Sequence, residues 1–333
     1  MPAATATAPD PPVVEAPAQR RWPWQRAPRD ADGEPAEKPA VPPLSPRLQL
    51  LRGVLLMVCA LALSLFLQLT VVSRFQEGAA QQQKFDQFRA ELALGTAPVG
   101  PTILEFDEAG NSEEFELALG HPVAYLEIPA LELDQVVLEG TTSGVLFDGP
   151  GHRRDTPLPG QPGVSIVMGR AAAYGGPFGS IGELTDGDQI IATTGQGTFT
   201  YSVIGVRREG DPLPPPIEGG TSRLVLATAD GPAFLPNGVL RVDAQLDGET
   251  APGSPRIYTS ATLPQEERAM EGDFRTLWAL ALWLQVLLAV TLAAIWSWSS
   301  WGRAQTWVVF LPLTLLVGLA TSGEVARLLP NLL

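Results

Sequence analysis

Leu224-Val225-Leu226-Ala227-Thr228-Ala229-Asp230-Gly231-Pro232 is the stretch that decides the fold. An apolar run passes into small polar residues and then into a Gly-Pro turn. A buried strand ends this way at the lip of a cleft. Around it, over 122–246, the chain is a series of short strands with turns between them. Residues 123–128 alternate and stop at Pro129, and 133–138 stop at Gly140. Residues 164–169 form a continuous apolar run after Gly160-Gln161-Pro162-Gly163. Residues 181–184 fit a short helix. Strands over 189–193 and 198–207 follow the turns Asp186-Gly187 and Gly195-Gln196-Gly197, and 208–220 is a Pro-rich loop. Strands over 224–228 and 239–246 complete the set. This spacing of strands and turns predicts a mainly β domain, a barrel or a sandwich.

The chain on either side reads differently. Residues 1–50 are rich in Pro and Ala without apolar periodicity, and are expected to be a disordered cytoplasmic tail. Within it, Arg20-Arg21-Trp22-Pro23-Trp24-Gln25-Arg26 has two readings, a solvated tail or a contact with anionic headgroups. Residues 51–73 are long and apolar enough to cross a bilayer, and Arg47 and Arg52 place their N-terminal side in the cytoplasm. Residues 74–121 read as an extracytoplasmic polar helix and an acidic linker. Phe85, Phe88 and Leu92 recur at helical spacing, with Phe75 nearly three turns earlier. After the β domain (122–247) and a linker (248–275), two more apolar segments over 276–301 and 306–323 read as a membrane hairpin. Its tip carries Arg303, and Trp296, Trp298 and Trp301 mark one interface. The expected topology is multi-pass in the cell membrane, with the N-terminus inside, the β domain outside, and 324–333 a short extracytoplasmic tail.

Composition narrows the function. Lys+Arg 22 against Asp+Glu 36 gives a net charge of −14, which argues against nucleic acid as a partner. The one cysteine, Cys59, lies in the first apolar segment, so no disulfide can form within the chain. There is no Cys-x-x-Cys and no His pair at ligand spacing, so neither a metal nor another cofactor is expected.

Several motifs in the β region fall in a telling order. They are Leu126-Glu127-Ile128-Pro129, Val137-Leu138-Glu139-Gly140-Thr141, Gly149-Pro150-Gly151-His152, Leu158-Pro159-Gly160-Gln161-Pro162-Gly163, and Tyr174-Gly175-Gly176-Pro177-Phe178, then Leu184 and Gly187-Asp188. Together they resemble the sortases, membrane-anchored cysteine transpeptidases of Gram-positive bacteria, and most nearly the class E type of actinobacteria. The resemblance implies an eight-stranded closed β-barrel. It does not account for the C-terminal membrane hairpin.

The resemblance also implies three chemical groups and a peptide substrate of the Leu-Pro-x-Thr-Gly or Leu-Ala-x-Thr-Gly type. A Cys thiolate attacks a backbone carbonyl, a His protonates the leaving amine, and an Arg stabilises the oxyanion. None is at its expected place. The Cys position is Ala229. The His position after Gly169 is Arg170, whose pKa is too high to cycle a proton near neutrality. The Arg position falls near Val239, with Arg241 two residues on and on the same strand face. His152 has a structural reading and a reading as a substitute base. Thr228 should point away from the Ala229 face, and Ser165 and Tyr174 have no visible base. Arg170 and Asp230 are expected within salt-bridge reach at the cleft mouth. Arg170, Tyr174, Asp230 and Arg241 define a candidate binding cleft for a peptide carboxylate or phosphate; the alternative is a filled, non-binding remnant.

Three functions compete. The first is a sortase-like pseudoenzyme, a binding or scaffold module at the cell envelope that meets lipid and an envelope protein or peptide. The second is an active transpeptidase or hydrolase of unusual mechanism. The third is a structural subunit of a membrane complex, in which the three spans are the working part.

Overall fold

The structure, a computed structural model, describes residues 45–106 and 112–333. The basic Trp-containing cluster over 20–26 lies outside these residues, as does all of the expected tail up to residue 44. Helix α1 (Pro46–Leu67) begins five residues before the expected span. Pro46 opens it, at a position where a missing N–H costs nothing. A π-helical turn (Gln68–Val72) leads without a break into α2 (Ser73–Leu94), which stops where Gly95 takes the left-handed conformation. The Phe85 and Phe88 face of α2 rests on the β domain: Phe88 is buried, and the Phe85 ring lies 5.2 Å from that of Tyr125. Phe75 is 77 % exposed, because it lies about 80° around the helix from that stripe at 100° per residue. The Gln81 side chain fixes α2 to the domain. Its Oε1 accepts from Val136 N (2.7 Å), and its Nε2 donates to Val136 O (3.1 Å) and Asp148 O (2.7 Å).

The acidic linker contains a separate hairpin of β1 (Thr102–Phe106) and β2 (Ser112–Glu116), antiparallel, with Ile103 opposite Phe115. The next eight strands close into a barrel. They are β3 (Pro122–Ile128), β4 (Leu133–Glu139), β5 (Gly151–His152), β6 (Gly163–Met168), β7 (Gln189–Thr194), β8 (Gly197–Arg207), β9 (Ser222–Asp230) and β10 (Gly238–Leu246). The order around the barrel is β10-β8-β7-β3-β4-β5-β6-β9, with β9 returning to β10. Seven of these strands match the runs read from the sequence. The eighth, β5, is two residues long and lies inside the Gly149-Pro150-Gly151-His152 motif. It pairs parallel to β4 and antiparallel to β6, and so completes the closure. Alternate residues of each strand fill the interior, among them Val123, Leu126, Ile128, Val137, Val167, Ile190, Tyr201, Leu224, Leu226 and Val242.

Among the described residues, three helical stretches are long and apolar enough to cross a membrane: 58–94, 274–297 and 304–328. Helix α3 (Leu277–Ser300) and helix α4 (Arg303–Leu328) form the hairpin. Helix α4 outruns the expected 306–323 segment by five residues at its C-terminal end. Glu324 and Arg327 are compatible with that extension because they pair with each other on the helix (3.7 Å) and Arg327 lies over the Phe147 ring. The helix ends just before Pro330.

Candidate functional site

The site is built where β6, β9 and β10 run side by side on the outside of the barrel. β6 and β9 are parallel, with Met168 opposite Ala227, and β9 and β10 are antiparallel, with Ala229 opposite Val239 and Ala227 opposite Arg241. The two-residue period therefore puts Met168, Ala227, Ala229, Val239 and Arg241 on one outward face. Thr228 falls on the other side. It is buried, and its hydroxyl donates to Gly169 O at 2.9 Å, so it supports the strand end and does not face the cleft. Ser165 is also fully buried, and its hydroxyl meets no base. Gly169 is required at the end of β6 because the Phe178 ring packs onto it; a Cβ there would come within 2.5 Å of the ring.

Arg170 turns away from Asp230. It is 1 % exposed and among the largest fully buried side chains. Its guanidinium lies 4.8 Å from the Phe147 ring centroid and 5.2 Å from that of Tyr174. It donates to Ser143 O (3.4 Å) and to Leu333 O (3.2 Å). No carboxylate side chain pairs with it among the described residues. Burial lowers its pKa to about 10, against a small opposing effect of Tyr174. The expected Arg170–Asp230 pair is thus not formed. Asp230 ends β9 at a half-exposed edge and pairs instead with Arg208, the residue after β8, at 3.3 Å. The aromatic pair under Arg170 stabilises the buried cation by the attraction of ring faces for positive charge. Tyr174 and Phe147 stack at 3.9 Å and 6°, and burial raises the Tyr174 phenol pKa.

Of the four cleft residues expected from sequence, the structure joins only Arg170 with Tyr174. Arg241 lies further along the same strand face. With Arg153, Arg207, Val239, Ala227 and Ala269 it lines a small pocket of about 120 Å³. Burial, then neighbouring Arg207, lowers the Arg241 pKa. Arg207 is held by Asp243 at 2.5 Å and Arg153 by Asp155 at 2.7 Å. Arg241 makes only a 3.5 Å contact to its neighbour Val239 O.

His152 is not in this cleft. It is 2 % exposed, with Nδ1 3.0 Å from Glu139 Oε2 and Nε2 3.0 Å from Pro157 O. Both ring nitrogens face acceptors, an arrangement that favours the protonated ring. Burial opposes the charge, but Glu139 outweighs it and the pKa is raised. The ring is buried and tied to Glu139 and Pro157, away from the β6–β9–β10 face.

The sequence reading missed what covers the cleft. Met168, Ala227, Ala229 and Val239 pack against Leu332, with Ala269 and Met270 beside them. Leu332 belongs to the segment after α4 and is fully buried. Ala269 and Met270 come from the linker. Arg154 anchors that linker through Glu267, bonding both carboxylate oxygens, with Nε to Oε2 at 2.9 Å, and it also meets Glu116. Burial pulls the Arg154 pKa down, but Glu267 outweighs this and the net shift is upward. The available signal was the apolar run Leu328-Leu329-Pro330-Asn331-Leu332-Leu333, too apolar for a solvated tail.

Residues 126–229 match the sortase domain family model. Sortase D of Bacillus subtilis is 32 % identical over 98 residues, 29 % of this chain and 48 % of that protein, so the chain spans about half the length of this curated relative. Among solved structures, sortase E of Streptomyces avermitilis is 30 % identical over 46 % of this chain and 100 % of its own, with a TM-score of 0.34. The sortase D5 transpeptidase of Clostridium perfringens is 19 % identical over 51 % of this chain and 99 % of its own, with a TM-score of 0.38. Residues 126–229 of the closed eight-stranded barrel are a sortase domain.

Proposed function

We propose that this sortase-family protein lacks transpeptidase chemistry and serves as a binding or scaffold module, anchored in the cell membrane by three spans, with its barrel on the extracytoplasmic side. One observation carries the reading. Where a thiolate and an imidazole would converge, β9 ends in Ala229 and β6 is followed by Arg170, while Cys59 and both histidines lie elsewhere. Alanine offers no nucleophile, and an arginine, which stays protonated at neutral pH, cannot serve as the general acid that an imidazolium would be. The placement of the hairpin supports the three-span topology. The linker leaves the barrel to enter α3, and the segment after α4 returns to the same barrel, so both ends of the hairpin belong on one side. Reaction with sorting peptides tests the reading. Full-length protein in detergent micelles, mixed with fluorogenic Leu-Pro-x-Thr-Gly or Leu-Ala-x-Thr-Gly peptide, should give no signal above a protein-free control. Cleavage that disappears on changing Arg170 or Thr228 would overturn it in favour of an unusual enzyme.

A further inference from the structure

Leu332 and Leu333 enter the cleft, and Asn331 ties them to the linker beside it. Leu332 is fully buried against Met168, Ala227, Ala229 and Val239. Its carbonyl accepts from Ala171 N at 2.9 Å, and the next carbonyl, that of Leu333, accepts from Arg170 at 3.2 Å. Asn331 is also fully buried, with its whole amide paired. Oδ1 accepts from Met270 N, and Nδ2 donates to Thr141 O and Arg268 O, each at 2.9 Å. Its backbone N donates to Glu271 O at 2.9 Å. The polar groups of the segment are thus matched as well as its apolar side chain.

The receiving surface shows the same complementarity. Arg170 is a buried cation without an acidic side-chain partner among the described residues; main-chain oxygens and ring faces meet it, and its Nε is buried without a hydrogen-bond partner. With residues 329–333 removed, one guanidinium nitrogen loses its acceptor, and the apolar face around Ala229 loses the Leu332 side chain that covers it. Residues 330–333 sit there as a turn, closed by Leu333 N donating to Pro330 O at 3.1 Å, so the surface suits a turn-forming peptide with a leucine-sized side chain and a main-chain oxygen beside Arg170.

We propose that the β6–β9–β10 cleft is a peptide-binding site and that residues 329–333 are its tethered resident ligand, which a leucine-containing peptide of the same turn must displace. Because the segment continues directly from α4, cleft opening is coupled to movement of the membrane hairpin. The proposal rests on the binding-module reading above. It is read by binding and labelling, not by cleavage, so the two fail separately.

Two measurements on the chain in detergent micelles test it. The first uses fluorescein-labelled Leu-Pro-Asn-Leu-Leu and fluorescence anisotropy. A variant ending at Leu328 should bind the peptide saturably and at least tenfold more tightly than the full chain, and should ignore Ser-Pro-Asn-Ser-Ser. The second is independent of that truncation folding. In a Cys59→Ala, Ala229→Cys background the new thiol should react slowly with a maleimide, and Leu332→Asp should speed the reaction at least tenfold. Equal peptide binding with and without residues 329–333, no binding by a folded truncated chain, or a labelling rate unchanged by Leu332→Asp would each overturn the proposal.

Discussion

The cover over the cleft has a second anchor that can be broken by one atom exchange, Glu267→Gln. Glu267 is 1 % exposed, and both of its carboxylate oxygens meet Arg154. Removing one charge of a buried pair leaves the other desolvated and costs about 3–5 kcal/mol. Arg154 keeps two other neighbours, Glu116, which is half exposed, and the Tyr258 ring at 4.3 Å. The lower end, about 3 kcal/mol, is therefore the expectation. Neighbouring residues 269–271 hold Asn331 in place, so the loss should appear as opening of the cleft cover. At 1.4 kcal/mol per tenfold, opening should become about 150-fold more frequent. Tryptophan fluorescence cannot report this, because none of the eight Trp lies within residues 122–247. Hydrogen exchange can. The amides of Met270, Asn331 and Ala171 each bond across the cover and should exchange about 150-fold faster, measured where closing outpaces exchange. Arg154→Met added to Glu267→Gln removes the stranded cation and should restore much of the protection. Unchanged exchange in Glu267→Gln, or a double variant no better protected than the single, would refute the reasoning.

Three further outcomes are expected. His152 has a folded-state pKa raised above its usual 6.5, so its contribution to stability is complete below that value and is lost as pH rises through the raised pKa; pulse proteolysis should show the urea midpoint falling over this interval, and His152→Asn should flatten the dependence. Arg170 and Asp230 do not meet, so Arg170→Ala and Asp230→Ala should be additive to within about 0.5 kcal/mol in urea denaturation; a larger coupling would place the two side chains together. In the proposed topology, a cysteine introduced at Gly231 in a Cys59→Ala background should react with an impermeant reagent in intact cells and one at Gly302 should not, and the opposite labelling would overturn the three-span arrangement.

The barrel was legible because its information is local. Alternation at period two and turn residues such as Asp186-Gly187 mark seven of the eight strands. The two-residue β5 carries no periodicity, and only its place in the ordered motifs held a position for it. The lip of the cleft was legible too, since Ala229, Val239 and Arg241 share a face by strand parity, as Thr228 and Ser165 lie off it. What failed was contact between distant segments. Arg170 looked like a partner for Asp230, because nothing near it in sequence says that Leu333, 163 residues on, supplies its acceptor. The same distance hid Leu332 and Asn331, which read as a short tail after a membrane span. The Leu-Pro pair at 329–330 also opens one of the two peptides implied by the sortase resemblance, but sequence alone gives no reason to fold it back onto the barrel.

Occlusion and missing chemistry would both leave a sorting peptide intact in the presence of the full chain, so the decisive measurement removes the first. A Leu-Pro-x-Thr-Gly peptide is incubated with the variant ending at Leu328 and followed by mass spectrometry. With Ala229 and Arg170 where the thiolate and imidazole would stand, the peptide should remain whole at every time point. A cleaved or transferred product that requires the protein would contradict the absence of transpeptidase chemistry.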